Sequence, residues 1–68
     1  MTKEEIGEKI KERRKVLSMP QNQLAEYTGL SIVTLSQIET GKANPSLETL
    51  ENIFNFLNLE LNVHVKNT

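Results

Sequence analysis

Along most of the chain, apolar residues recur at intervals of three and four, which is the period of an α-helix. In the first segment one face consists of Ile6, Ile10, Arg14 and Leu17. Thr2 and Glu5 have the spacing of a capping box at the start of this helix. Pro20 cannot continue a helical hydrogen-bond ladder, so we expect the helix to end before it.

Three further helices are predicted after Pro20. The first is short and covers residues 21–27, and Gly29 supplies the positive φ of a tight turn after it. Ser31 is a favourable N-cap for a helix over Ile32–Glu39, which Gly41 ends. Ser46 is predicted to cap a fourth helix that ends near Asn58. Its wide apolar stripe consists of Leu47, Leu50, Ile53, Phe54 and Leu57.

The pattern changes after the fourth helix, from a period of 3.6 to a period of two. The alternating apolar residues are Leu59, Leu61, Val63 and Val65, which predicts a β-strand over 59–65. The chain offers no second strand, and a lone apolar strand is a liability. We therefore expect it to pair with its own copy across a two-fold axis, although a disordered tail is the alternative. The predicted organisation is a domain over 1–58 and a dimerising strand and tail over 59–68.

Composition narrows the class of protein. The chain has 68 residues and no Cys, so we expect one domain with neither disulfides nor a thiolate metal site. There is no apolar run of membrane-spanning length and no signal-peptide pattern, so we expect a cytoplasmic protein that does not enter membranes. The single His64 has no catalytic or metal-binding neighbour in the pattern. We predict no enzyme activity, no metal and no cofactor.

Charge is distributed unevenly. The formal net charge is −1, with six cations and four anions in residues 1–20 and two cations and five anions in residues 21–68. A diffuse cationic field is therefore absent, and any contact with a polyanion must come from local donors.

Two short helices joined by a glycine turn form the helix-turn-helix pattern, although a plain helical bundle has it too. The sequence QNQLAEYTGLS over 21–31, LSQIETGK over 35–42 and NPSLETL over 44–50 resembles the Cro/phage-repressor (XRE-type) helix-turn-helix family. The resemblance covers about residues 3–58. It implies an all-α, repressor-like domain of four to five helices that binds double-stranded DNA as a homodimeric transcriptional repressor, here followed by the short C-terminal β-strand that pairs between subunits.

The resemblance also implies which residues contact DNA. The third helix would be the recognition helix, whose base-contacting face is Ile32, Val33, Ser36 and Gln37. A glutamine pairs well with adenine, whereas Ile32 and Val33 depart from the polar residues usual in this family. For Val33, packing into the core is the alternative. The residues implied to contact phosphate are Gln21, Gln23, Thr40, Lys42 and Asn44, for which an ordinary polar surface is the alternative.

Two further implications concern structure and partners. Arg14 lies on the apolar face of the first helix, and the resemblance implies a partly buried, structural ion pair with Glu39. A helix-turn-helix followed directly by an alternating strand resembles the arrangement of HipB-type antitoxins, which implies a HipA-type kinase toxin as a partner. The alternatives are a solitary repressor and a protein-interaction module that does not bind DNA.

Overall fold

Four helices make up the fold of residues 1–67, the part of the chain that the computed structural model describes. They are α1 (Lys3–Val16), α2 (Gln21–Thr28), α3 (Ile32–Glu39) and α4 (Leu47–Leu57). The predicted all-α class is confirmed, and the bounds of α3 are those that its caps predict. None of these helices is both long and apolar enough to cross a membrane.

Three of the four helices begin at a hydroxyl side chain that accepts a backbone hydrogen bond. Thr2 accepts from the Glu5 backbone in a complete capping box, Ser31 accepts from Thr34, and Ser46 accepts from Thr49. The reciprocal bond from the Thr2 backbone lowers the pKa of the Glu5 carboxyl below its ordinary value. At the start of α2, Pro20 provides no side-chain cap.

All four helices end in the same way, with one residue in the left-handed region. These residues are Ser18, Gly29, Gly41 and Asn58. In each case the N–H of the following residue donates a hydrogen bond to the carbonyl oxygen five residues before it. Examples are Leu30 N to Ala25 O at 3.1 Å and Leu59 N to Phe54 O at 2.9 Å. Met19, Leu30 and Leu59, which follow three of these ends, pack against the core. The reversals therefore fix the direction in which the chain leaves each helix.

The core receives a fully buried side chain from every helix. The largest are Ile10, Leu24, Leu35, Ile53 and Leu57. Two polar contacts at helix ends support this packing. The Arg13 guanidinium donates to the Leu57 carbonyl at 2.9 Å, and the Asn52 amide donates to the Thr28 carbonyl at 2.8 Å. The last carbonyls of α4 and α2 are thereby satisfied by side chains of α1 and α4.

At Gly7 the backbone of α1 lies directly against the backbone of α3. A Cβ atom at this position would collide with the backbone carbonyl oxygen of Ile38 and would lie 2.8 Å from that of Glu39. The glycine therefore allows the backbone of α1 to rest on the last turn of α3. The sequence pattern gives no sign of this, because a lone glycine inside a helical pattern only indicates a weaker helix.

The predicted strand over 59–65 was wrong for the single chain. Residues 59–67 have no regular secondary structure, and Val63 and Val65 are 93% and 97% exposed. The physical reason is that a strand needs a partner for its backbone groups, and residues 1–67 contain no sheet edge. Leu59 alone packs against the core. The proposed tail over 59–68 includes Thr68, which lies outside the described residues.

Replacing Gly7 by alanine should change the stability of the protein in the opposite direction to the one that helix propensity predicts. On helix propensity alone, Gly7→Ala stabilises the protein by about 1 kcal/mol. We expect it instead to lower the free energy of unfolding by about 2 kcal/mol or more, because the methyl group overpacks against two carbonyl oxygens. Urea denaturation measures the change.

Gly29→Ala is the matched control, since a Cβ there meets nothing within 4 Å and only the φ of 74° is unfavourable. We expect a loss of about 1 kcal/mol for it. A Gly7→Ala protein as stable as the wild type would contradict the backbone contact between α1 and α3.

Candidate nucleic-acid interface

The candidate nucleic-acid interface is formed by α2 and α3, which are joined by the turn at Gly29. Leu35 and Ile38 fix the inner face of α3 in the core. Leu24 and Ala25 do the same for α2. The opposite face of α3 is therefore turned to solvent over its whole length.

The solvent face of α3 consists of two rows, Ile32 with Ser36 and Val33 with Gln37, and the two residues of each row are one helical turn apart. Ile32 is 50% exposed and Val33 is 67% exposed, so Val33 does not pack into the core. Ser36 is half-buried and Gln37 is exposed. Within the described part of the chain, the Gln37 side chain makes no hydrogen bond and is free to meet a ligand. The structure thus brings all four predicted base-contacting residues to one surface.

A buried ion pair joins α1 to the end of α3. Arg14 Nε lies 2.7 Å from Glu39 Oε2 and Arg14 Nη2 lies 3.0 Å from Glu39 Oε1, while the side chains are only 11% and 3% exposed. Arg14 Nη1 also donates to the Met19 carbonyl at 2.9 Å. The hydrogen bond to Glu39 raises the pKa of Arg14 above its ordinary value, so the guanidinium stays charged. The bidentate geometry holds two helices and the α1–α2 turn together.

Gln21 joins this network, which changes its expected role. Its amide donates to Glu39 Oε1 at 3.3 Å, so the side chain is turned inward instead of toward solvent. The start of α2 still offers backbone donors. Its first backbone hydrogen bonds are donated by the N–H groups of Gln23 and Leu24 to the Pro20 carbonyl. The N–H groups of Gln21 and Asn22 precede these bonds and point out of the helix end, where anions bind.

The other predicted phosphate contacts fall into two places. The Gln23 amide donates to the Tyr27 hydroxyl at 2.7 Å on the exposed side of α2. Thr40, Lys42 and Asn44 are exposed in the loop directly after α3. The Thr40 hydroxyl donates to the Ser36 carbonyl at 2.9 Å, whereas Lys42 extends from the turn at Gly41. The structure therefore places Gln23 on α2 and the other three candidate donors in the loop after the C-terminal end of α3.

Charge is segregated away from this face. Between Tyr27 and Leu47 the sequence contains only two residues charged at neutral pH, Glu39 and Lys42. Glu39 is buried and paired with Arg14, so Lys42 carries the one exposed charge of the segment. The remaining acidic residues lie on α1, α2, α4 and the tail. A chain of net charge −1 can therefore present a surface without negative charge along α3.

An aromatic pair near this surface was missed by sequence reasoning. Tyr27 and Phe56 stack with ring centroids 5.5 Å apart, and they are 47% and 44% exposed. No local signal joins them, since they belong to α2 and α4 and meet only through the tertiary fold. Among residues 1–67 there is no group of acidic, histidine or cysteine side chains that could hold a metal ion.

Comparisons with known proteins agree with this geometry. A family model described as "Helix-turn-helix" matches residues 10–63. The restriction-modification controller protein C.AhdI of Aeromonas hydrophila superposes with a TM-score of 0.80 at 26% identity, over 85% of this chain and 88% of that one.

Two proteins of Bacillus phage phi105 are similar in sequence. A 10 kDa protein of the ImmF control region is 41% identical over 85% of this chain, and an immunity repressor protein is 40% identical over 88% of it. The chain spans only 64% and 42% of the lengths of these two relatives.

The ion pair gives a testable stability difference. Arg14→Met leaves the Glu39 carboxylate buried without its cation, and we expect a loss of about 3 kcal/mol in the free energy of unfolding. Replacing both residues, Arg14→Met with Glu39→Met, removes the buried charge as well and should recover most of that loss. Chemical denaturation of the two single variants and the double variant gives the coupling. Equal losses in the single and double variants would contradict a desolvated, mutually dependent pair.

Proposed function

The chain belongs to the helix-turn-helix family, and from that premise we propose that it is a sequence-specific, double-stranded DNA-binding transcriptional repressor. The observation that carries the proposal is the solvent face of α3, which has no negative charge and has the uncapped start of α2 and Lys42 near its C-terminal end. The descriptions of the relatives as an immunity repressor and a controller protein support it.

In the proposed complex α3 lies in the major groove. Gln37 is exposed and unpaired within the described residues, and its amide is suited to pair bidentately with an adenine. Ile32 and Val33 contact the groove through apolar atoms, and Ser36 contributes one hydroxyl between the two rows. Sequence-dependent DNA shape then adds to a base code that is poor in hydrogen bonds.

Phosphate contacts flank this helix on both sides. The N–H groups of Gln21 and Asn22 meet one phosphate with the help of the positive helix end. Lys42 and Asn44 meet the next phosphates beyond α3, together with Thr40 once its hydroxyl turns away from the Ser36 carbonyl. Gln23 reaches a phosphate only by releasing Tyr27. Few charges take part, so binding should weaken with salt along a shallow slope that reflects a small number of released ions.

The proposed repressor is a homodimer. Two recognition helices about 34 Å apart are needed to read two half-sites one DNA turn apart. The tail over 59–68 is the proposed contact, since Val63 and Val65 are almost fully exposed apolar residues. It leaves a mostly apolar cavity of about 540 Å³ beside α1 and α4, lined by Met1, Ile6, Phe54 and Leu61 among others. A strand formed with the partner's tail would satisfy the backbone and cover this space.

Two other functions would use the same surfaces. The antitoxin hypothesis, with a HipA-type kinase toxin as partner, is supported only by the alternation of the tail, and none of the relatives above carries that description. A protein-interaction module without DNA binding is favoured by one observation, the exposed apolar pair Ile32 and Val33. The salt dependence of binding separates this alternative from the proposal.

DNA binding can be tested with duplexes selected from a random pool. We expect Gln37→Ala to weaken specific binding by about 1–3 kcal/mol with little effect on non-specific binding. We expect Lys42→Ala to weaken both and to reduce the salt slope by about one per subunit, or about two for the proposed homodimer. Lys9→Ala is the control for loss of a cation outside α3 and the loop after it, and sedimentation checks that it stays dimeric, since Lys9 lines the cavity beside the tail. Binding that no variant changes, or that does not respond to salt, would contradict the proposal.

The dimer is tested by sedimentation equilibrium. Val63→Glu with Val65→Glu should produce a monomer, because paired tails cannot bury four carboxylates. Val16→Glu places the same charge at a residue of α1 that is 71% exposed and should leave the dimer intact. A wild-type protein that sediments as a monomer at DNA-binding concentrations would refute tail-mediated dimerisation.

A further inference from the structure

The first turn of α3 presents methyl groups where a recognition helix needs base contacts. Ile32 and Val33 are 50% and 67% exposed, and both end in branched apolar carbons. The nearby hydroxyl groups are engaged with each other: Ser31 Oγ donates to Thr34 Oγ1 at 2.9 Å and accepts from Thr34 N at 3.0 Å. The leading half of the helix therefore offers apolar contact in place of free hydrogen-bond donors.

Only one apolar group stands out among the base edges of the major groove, the 5-methyl group of thymine. Resting on the proposed DNA-binding function, we propose that Ile32 and Val33 read the 5-methyl group of a pyrimidine in the operator. The recognised feature is the methyl group and not the hydrogen-bond pattern of the base. A 5-methylcytosine at that position is consequently accepted in place of thymine better than an unmodified cytosine.

The helix geometry sets where this methyl group lies. Val33 and Gln37 are one turn apart on the same row, about 6 Å between their Cβ atoms, and base pairs in DNA are spaced about 3.4 Å along each strand. The methylated pyrimidine should therefore lie within about two base steps of the adenine that Gln37 reads. This spacing is a property that selected duplexes must share.

The charge of the surface favours DNA over a protein as the occupant of this face. The only charged residue within α3 is Glu39, which is buried against Arg14. Beyond its end Lys42 is exposed, and the start of α2, where the Gln21 side chain reaches Glu39, offers backbone N–H groups. An apolar strip beside these sources of positive potential is complementary to a groove whose floor carries methyl groups and whose walls carry phosphates.

The test removes single methyl groups from a duplex that the protein has selected from a random DNA pool. Replacing one thymine by uracil leaves every hydrogen-bond group of the base in place. We expect binding, measured by fluorescence anisotropy, to weaken about fourfold per contacted methyl group, the factor that corresponds to burying one group of that size. Exchanging the same T·A pair for C·G should weaken binding further, and methylating that cytosine should restore about fourfold.

Protein variants separate direct contact from an effect of the methyl group on DNA shape. Val33→Ala and Ile32→Ala should each lose discrimination between thymine and uracil at one position, as a double-mutant cycle measures. Val16→Ala removes the same atoms from a residue of α1 that is 71% exposed and should keep the discrimination. Circular dichroism checks that all three variants fold.

Several outcomes would overturn the inference. If a fully uracil-substituted duplex binds as tightly as the thymine duplex, the methyl group is not recognised, whereas the proposed DNA binding is unaffected. If both alanine variants still discriminate between thymine and uracil, the effect comes from DNA shape. If the alanine variants bind DNA as the wild type does, Ile32 and Val33 contact a protein partner instead. Failure to select any duplex would overturn the proposed function and this inference with it.

Discussion

The bidentate ion pair between Arg14 and Glu39 is the contact on which the arrangement of the other elements depends. It joins α1 to the end of α3, and through the Met19 carbonyl and the Gln21 amide it also holds the α1–α2 turn and the start of α2. Burying two charges is costly, and the cost is offset only because all buried side-chain polar atoms of the described residues have partners. The same ion pair neutralises Glu39, which carries the one negative charge of α3.

The segregation of charge explains how an acidic protein can have a surface suited to DNA. The net charge of −1 is an average over surfaces that differ, with the carboxylates kept off the solvent face of α3. In the proposed complex, binding depends on a few donors, namely backbone N–H groups at the start of α2, the Gln37 amide and Lys42. A protein built in this way gains its affinity from fit and local geometry more than from a long-range field.

The sequence predicted the helices well because their ends are local signals. Ser31, Gly29 and Gly41 specify caps and reversals within four residues of where they stand, and the structure agrees. Features that depend on contacts between helices were not accessible, such as Gly7 against the α3 carbonyls and Tyr27 against Phe56. The inward turn of the Gln21 side chain also requires knowledge of where Glu39 lies. The strand over 59–65 was wrong for the single chain because alternation cannot supply a pairing partner. The ion pair was expected only through the family resemblance, since nothing local joins residues 25 positions apart.

The most direct test of this account is to map backbone amide chemical shifts of the labelled protein on addition of a selected duplex. We expect the largest changes on the amides of Gln21 and Asn22, on the solvent face of α3, and on residues 40–44. Val16 at the end of α1 and Asn55 on α4 should change little. Changes concentrated around Tyr27 and Phe56 or on the tail, with α3 unaffected, would contradict it.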